Sequence, residues 1–168
     1  ERTVVDLNVV VHDVLSLLEH QFEKGRVKIR RELSADPVSV VGFEFKLQQV
    51  FLNLFLNARD AMPDGGILAI RTSAGDKAVR VEIADTGMGI APENLARIYD
   101  PFFTTKAPKK GTGLGLTISR KIARILGGDI TVTSVEGTGS VFAFLLPTDE
   151  AALAGVEWIE PPSDPAPA

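Results

Sequence analysis

The stretch EFKLQQVFLNLFLNARDAM, residues 44–62, decides the fold. It holds neither Gly nor Pro, and Leu47, Val50, Phe51, Leu54, Phe55, Ala58 and Met62 recur at the i, i+3, i+4 spacing of an α-helix. From Val50 to Ala58 only Asn53 and Asn57 are polar, so the spacing predicts a helix buried on nearly all sides. At 100° per residue, Lys46, Gln49, Asn53, Asn57 and Asp60 fall within an arc of roughly 80°. The polar stripe so formed is expected to line a cleft. Two carboxamides one turn apart can offer oxygen ligands to a hard cation that is also held by phosphates, as Mg²⁺ commonly is. The same pair also fits internal hydrogen bonds in an ordinary core, and the helix by itself leaves both readings open.

Working outward, the 168 residues with 45% hydrophobic content can bury one sizeable core, so a single domain is the default. A net charge of -4 gives no reason to expect a nucleic acid partner. The absence of Cys excludes disulfides and thiolate metal sites, and two His argue against a multi-histidine centre. No apolar run reaches membrane-spanning length, and no signal peptide is evident. The first residue is Glu1 rather than Met, which points to a piece of a longer protein.

Before the central stretch, Thr3–Val5 is expected as a short edge strand. Asp6 or Asn8 then caps a helix that runs to about Phe22, burying Leu7, Val11, Val14, Leu15, Leu18 and Phe22. His12 falls on its polar side. A phosphoacceptor role for the His12-Asp13 pair has no support around it. Val27, Ile29 and Leu33 alternate with charged residues in a strand, and Val38–Val41 gives another. After Pro63-Asp64-Gly65-Gly66, Ile67–Ser73 and Val79–Ile83 read as a hairpin, the second strand leading into Asp85-Thr86-Gly87-Met88-Gly89-Ile90. Pro92-Glu93 opens a short helix expected to end near Tyr99. From Asp100 to Gly111 the chain is aperiodic, only PFFTTKAPKKG, and reads as a functional lid. Gly111-Thr112-Gly113-Leu114-Gly115-Leu116 leads a helix through Leu126, and strands over Ile130–Ser134 and Val141–Leu146 close the pattern. Beyond Pro147 the composition turns to Ala and Pro. Residues 1–148 are therefore expected to form the domain, and 149–168 a flexible tail or linker.

The glycine run before Leu116 can point consecutive backbone N–H groups into one concavity at a helix start, as a phosphate cradle does, although such glycines are also ordinary loop residues. It matches neither the dinucleotide-binding fingerprint nor the P-loop. Asp85, at a strand end, can accept a hydrogen bond from an amino group, and Gly87 and Gly89 lack the Cβ atoms that would hold a flat ligand off the backbone. Asp-Thr-Gly is also a plain strand exit, or half of an aspartic protease dyad. The protease reading calls for an all-β chain, which the helical segments contradict.

Taken in order, the Asn pair, the D-x-G-x-G turn, the lysine-bearing segment and the glycine run resemble the ATP-binding catalytic domain of bacterial sensor histidine kinases. NLFLNARDAMPDGG matches that family's N box, DTGMGI its first glycine box, PFFTTK its F box, GTGLGL its second glycine box and GTGSVFAFLLP its closing strand. The resemblance covers about Thr3 to Pro147. It implies an α+β fold: a two-layer sandwich with a mixed, mostly antiparallel sheet on one layer of about three helices. It also implies ATP and Mg²⁺ as ligands, with Asn57 on the metal and Asn53 beside it. Asp85 would recognise the adenine amino group with help from Ser140, which stands where the family commonly has Thr. Gly87 and Gly89 would border the base. Gly111, Thr112, Gly113, Leu114, Gly115 and Leu116 would line the phosphates, with Lys106 reaching the γ-phosphate and Phe102 and Phe103 anchoring the lid.

Related ATPases of this fold use a Glu as general base on the helix where Asn53 sits, and an amide cannot take a proton from water. Phosphoryl transfer to a side chain is therefore favoured over hydrolysis. The resemblance places the acceptor histidine on a helical dimerisation segment absent from this chain. It implies a response regulator as a further partner, a cytoplasmic setting, and no direct membrane contact by these residues. A serine kinase of the anti-sigma type, a hydrolysing clamp and a nucleotide-free scaffold are the other readings of the same boxes.

Overall fold

The computed structural model describes residues 2–100 and 115–148. Strand β1 (Thr3–Asp6) leads into helix α1 (Leu7–Lys24), followed by β2 (Val27–Glu32), β3 (Ser39–Gly42) and helix α2 (Glu44–Ala61). A hairpin of β4 (Gly66–Ala74) and β5 (Ala78–Asp85) precedes the short helix α3 (Pro92–Leu95). Helix α4 (Gly115–Ile125), β6 (Asp129–Val135) and β7 (Gly139–Pro147) complete the order. Five strands form one sheet in the order β2-β4-β5-β7-β6, parallel only between β2 and β4. The expected two-layer arrangement is the observed one.

Alternation along the strands decides which face is covered. Leu68 and Ile70 of β4, Val79, Val81 and Ile83 of β5, and Phe142, Phe144 and Leu146 of β7 turn inward into one core with Leu15 and Phe22 of α1 and Ile122 of α4. Their neighbours in sequence, Arg71, Arg80 and Glu82, stay on the outer face, where Arg71 pairs with Glu32 at 2.7 Å and Arg80 with Glu82 at 2.8 Å. Exposed pairs of this kind contribute little to stability, about 0–1 kcal/mol. Helix α2 contacts both α1 and α4 and lies against the sheet. Phe51 and Phe55 are fully buried on it, and the Phe51 ring meets Phe144 edge to face at 5.4 Å.

Two local expectations are sharpened and one changes. The expected edge strand is β1, and it pairs antiparallel with β3 in a two-stranded ribbon separate from the main sheet. Asp6, not Asn8, caps α1: its carboxylate accepts the Asn8 N–H at 3.0 Å and the Val38 N–H at 3.1 Å, fastening β3 to the helix start. Asn8 instead donates to the Ser34 carbonyl at 3.0 Å and accepts from the Thr72 hydroxyl at 2.7 Å. α3 stops at Leu95, and turns carry the chain on to Tyr99. The expected lid and the tail over 149–168 lie outside the described residues.

Replacing Phe51 by Ala opens a cavity against Phe55 and Phe144, and is expected to cost about 3–5 kcal/mol in urea unfolding. Phe45, six residues earlier and 86% exposed, is the control. Phe45→Ala is expected to change stability by no more than about 0.5 kcal/mol.

Candidate nucleotide site

The inner face of the sheet changes character at one row. Ile83, Phe142 and Val132 lie side by side on β5, β7 and β6, and one row on toward the same end of the sheet, two residues later in β5 and β6 and two earlier in the antiparallel β7, stand Asp85, Ser140 and Ser134. All three polar residues are buried. Asp85 accepts the Gly87 N–H at 2.9 Å and also the backbone N–H of Ser140. Burial nevertheless dominates and pushes its carboxyl above the usual value, the two N–H groups offsetting only part of the effect. A desolvated carboxylate with only amide partners is suited to a ligand that brings hydrogen-bond donors.

The loop after Asp85 is held on two sides. The Met88 N–H donates to the Ala61 carbonyl at the end of α2, 2.9 Å away, and the Met88 carbonyl accepts the Gly137 N–H at 2.7 Å from the β6–β7 turn. Here the structure supplies a reason for the glycines that the sequence reading missed. A Cβ at Gly87 would lie 2.2 Å from the Ala61 carbonyl oxygen, and one at Gly89 2.1 Å from that of Val135. Gly89 also has φ +69°, in the left-handed region. Protein backbone, rather than a ligand, occupies the space that both glycines leave.

One turn before Ala61, about 6 Å along the axis, stands Asn57, and one further turn back Asn53. Both are half-buried, as a stripe facing a cleft requires. Asn53 donates to the buried Ser119 hydroxyl of α4 at 3.5 Å, and a Cβ at Gly115 would sit 3.8 Å from the Asn53 amide carbon. The start of α4 is thus brought against the Asn stripe. Leu116 packs against the core. The other end of the 101–114 segment is tied to the same helix, because Thr117 donates its hydroxyl to the Tyr99 carbonyl at 2.8 Å. Tyr99 donates in turn to the Ile130 carbonyl at 2.9 Å, and burial pushes its phenol up to about 12.

Arg120 lies 4.3 Å from the centre of the Tyr99 ring and bonds Asp129 at 3.0 Å, with Arg124 on the same carboxylate at 3.3 Å. Burial alone would raise Asp129, but the hydrogen bonds from Arg120, Arg124 and the Ile130 N–H outweigh it and hold this carboxyl below its usual value. The cleft lined by Tyr99, Thr117, Arg120, Lys121, Arg124 and Ile125 lies on this side of α4 and includes none of the sequence-predicted site residues.

Asp85, Gly87, Gly89 and Ser140 therefore form one group, and Asn53, Asn57 and Gly115 another, joined through the Ala61 contact. Phe102, Phe103, Lys106, Gly111, Thr112, Gly113 and Leu114 lie outside the described residues. Among the described residues no cluster of three His, Cys, Asp or Glu could hold a metal by itself. A cation at the Asn stripe would need further oxygen ligands from a phosphate, which fits the neutral donor set. Ser134, Ser119 and Tyr99 were not foreseen as site residues. For Ser134 a signal existed: alternation with Ile130 and Val132 turns it inward.

A family described as histidine kinase-, DNA gyrase B-, and HSP90-like ATPase matches residues 42–150. The chain belongs to this family. It is 37% identical over 152 residues to the sensor histidine kinase ZraS of Escherichia coli K12, covering 86% of this chain and 31% of that protein. It thus spans less than a third of that relative's length. The nucleotide-free catalytic domain of histidine kinase ThkA superposes with a TM-score of 0.82 at 33% identity, over 90% of this chain and 99% of that one. A second structure, of ThkA in complex with the response regulator protein TrrA, gives 0.75 at 30% identity over 88% of this chain and 42% of ThkA. This chain is an ATP-binding catalytic domain of the histidine kinase type.

A carboxyl whose folded pKa is raised contributes stability that is fully present below its unfolded pKa and is lost as pH rises through the folded one. Asp85 therefore works against the nucleotide-free domain at neutral pH. Asp85→Asn keeps an acceptor for Gly87 and removes the charge. Its melting temperature relative to the unmodified chain, without nucleotide, is expected to climb between about pH 4 and about pH 7. A difference that stays flat across that range would show that the charge carries no such cost.

Proposed function

We propose that residues 1–148 bind ATP with Mg²⁺ and donate its γ-phosphoryl group to a histidine on a separate helical dimerisation segment, with 149–168 serving as a Pro/Ala-rich linker. The observation that carries this reading is the buried Asp85 carboxylate beside Ser140, joined through Ala61 to an Asn stripe that meets the start of α4. Asp85 accepts a hydrogen bond from the adenine amino group and Ser140 assists at the ring, with the loop of Gly87 and Gly89, packed from behind by Ala61 and Val135, bordering the base. Asn57 and Asn53 would hold Mg²⁺, which when bound would neutralise phosphate charge. Backbone N–H groups from Gly111 to Leu116, together with Lys106, take the phosphate oxygens, and Phe102 and Phe103 anchor the segment that bears Lys106.

The stripe offers carboxamides, which cannot deprotonate water. Transfer to an imidazole nitrogen needs no such base. The bond from the γ-phosphorus to the bridging oxygen breaks, a phosphorus–nitrogen bond forms, and ADP leaves. The histidine kinase ThkA has been seen with a response regulator protein, and a regulator of that kind is the proposed next acceptor. No helix among the described residues is long and apolar enough to cross a membrane. The proposed setting is cytoplasmic.

Calorimetric titration is expected to show ATP binding that tightens with Mg²⁺ and weakens at least about tenfold in Asp85→Asn, the loss of one charged hydrogen bond. The chain incubated alone with labelled ATP is expected to gain no acid-labile phosphate. Stoichiometric labelling of it would place an acceptor within these residues, and no ATP binding would remove the reading altogether.

A further inference from the structure

Ser134 makes three contacts through one oxygen. Its Oγ lies 2.8 Å from the Ile90 amide nitrogen, 3.1 Å from the Gly139 carbonyl oxygen and 2.8 Å from the Ser140 Oγ. A serine hydroxyl has one proton and two lone pairs. The Ile90 N–H can only donate, so it takes one lone pair. The Gly139 carbonyl can only accept, so it takes the single proton. What remains for Ser140 is the second lone pair, and Ser140 must be the donor. Both serines are buried, at 3% and 5% exposure, so water does not offer ready alternatives.

We infer that Ser134 is a positioning residue for base selection: it commits the Ser140 proton inward, so that Ser140 and Asp85 together present only acceptors. The inference rests on the proposed adenine site. At the exocyclic position, acceptors alone suit an amino group, which brings two N–H donors, and repel a carbonyl in its place. Without the Ser134 oxygen, the Ser140 hydroxyl is free to turn. Its cross-strand neighbour is Asp85, the paired position in the β5–β7 register, within reach of a short side chain. A Ser140 proton given to Asp85 would satisfy the carboxylate internally, in competition with the ligand. Ser134 also fixes the far end of the Asp85 loop through Ile90, so its loss leaves that half-buried amide without its partner.

The test titrates ATP and ITP, whose base has a carbonyl in place of the amino group, into the unmodified chain and into Ser134→Ala, Ser134→Thr and the double variant Ser134→Ala/Ser140→Ala. Ser134→Ala is expected to lower the ATP-to-ITP affinity ratio by about tenfold, the worth of one hydrogen bond. Ser134→Thr, which keeps the hydroxyl, is expected to restore the ratio. In the double variant the Ser140 proton is gone together with its acceptor oxygen, so the part of the ratio carried by Asp85 alone is expected to return. Amide exchange of Ile90 in the nucleotide-free chain supplies a second reading, with protection expected to fall by about tenfold in Ser134→Ala. Equal weakening of both triphosphates would mean a structural role only, and it overturns the inference, as does unchanged Ile90 protection. If the unmodified chain binds neither triphosphate, the adenine site falls and this inference with it. If that chain binds ATP but Ser134→Ala leaves the ratio unchanged, this inference alone falls.

Discussion

Burial of the middle of α2, with Phe51 and Phe55 enclosed and Phe51 edge-on to Phe144 of β7, is the constraint to which the other elements conform. A helix that is apolar nearly all round has to be covered nearly all round. Here α1 and α4 lie on its two flanks and the sheet lies beneath it. The site inherits its geometry from that position. The same rigid helix carries Asn53 and Asn57, holds Ser119 of α4 through Asn53, and anchors the Asp85 loop through the Ala61 carbonyl. Groups from three separate parts of the chain are thereby referred to one axis, which a site built only on loops would lack.

Much of this was legible as periodicity. The 3.6-residue pattern of α1 and α2, the alternation in the β4–β5 hairpin and the turn chemistry between the elements are local signals, and each element lies within a few residues of its expected place. What escaped depends on partners distant in sequence. Thr3–Val5 reads as an edge strand in isolation, and only the pairing of β1 with Ser39–Gly42 makes it half of a ribbon. Asp6 and Asn8 are both good helix caps by type. The choice between them rests on Val38, Ser34 and Thr72, which lie 26 to 64 residues from Asp6 and Asn8 and fold back onto them. The motifs named Asp85, Gly87 and Gly89 correctly as one turn, but the space beside the two glycines is filled by the carbonyls of Ala61 and Val135, and no local pattern encodes that approach.

Asp85 and Asp129 show two ways of burying a carboxylate. Asp129 is met by two guanidinium groups and an N–H, so its charge is favoured despite burial. Asp85 has only amide N–H partners, and burial prevails. An Arg beside Asp85 would relieve the cost, and would also occupy the acceptor capacity that an incoming amino group needs. The difference separates a structural carboxylate, which fastens α4 to β6, from one kept under-satisfied at the end of the core. Local consistency gives way there, and functional sites are where such departures are expected.

The polar row also explains why core and site cannot be altered independently. Asp85, Ser140 and Ser134 face the same way as Ile83, Phe142 and Val132 because strand side chains alternate with a period of two. A one-residue slip of β7 would turn Phe142 and Phe144 out of the core and would move Ser140 away from both Asp85 and Ser134. The apolar rows therefore hold the hydrogen-bonding row in register, and the energy of burying Phe144 against Phe51 also keeps a single proton on Ser140 pointed inward. Packing more than ten ångströms away by strand rise acts on the chemistry through register rather than through any chain of polar contacts.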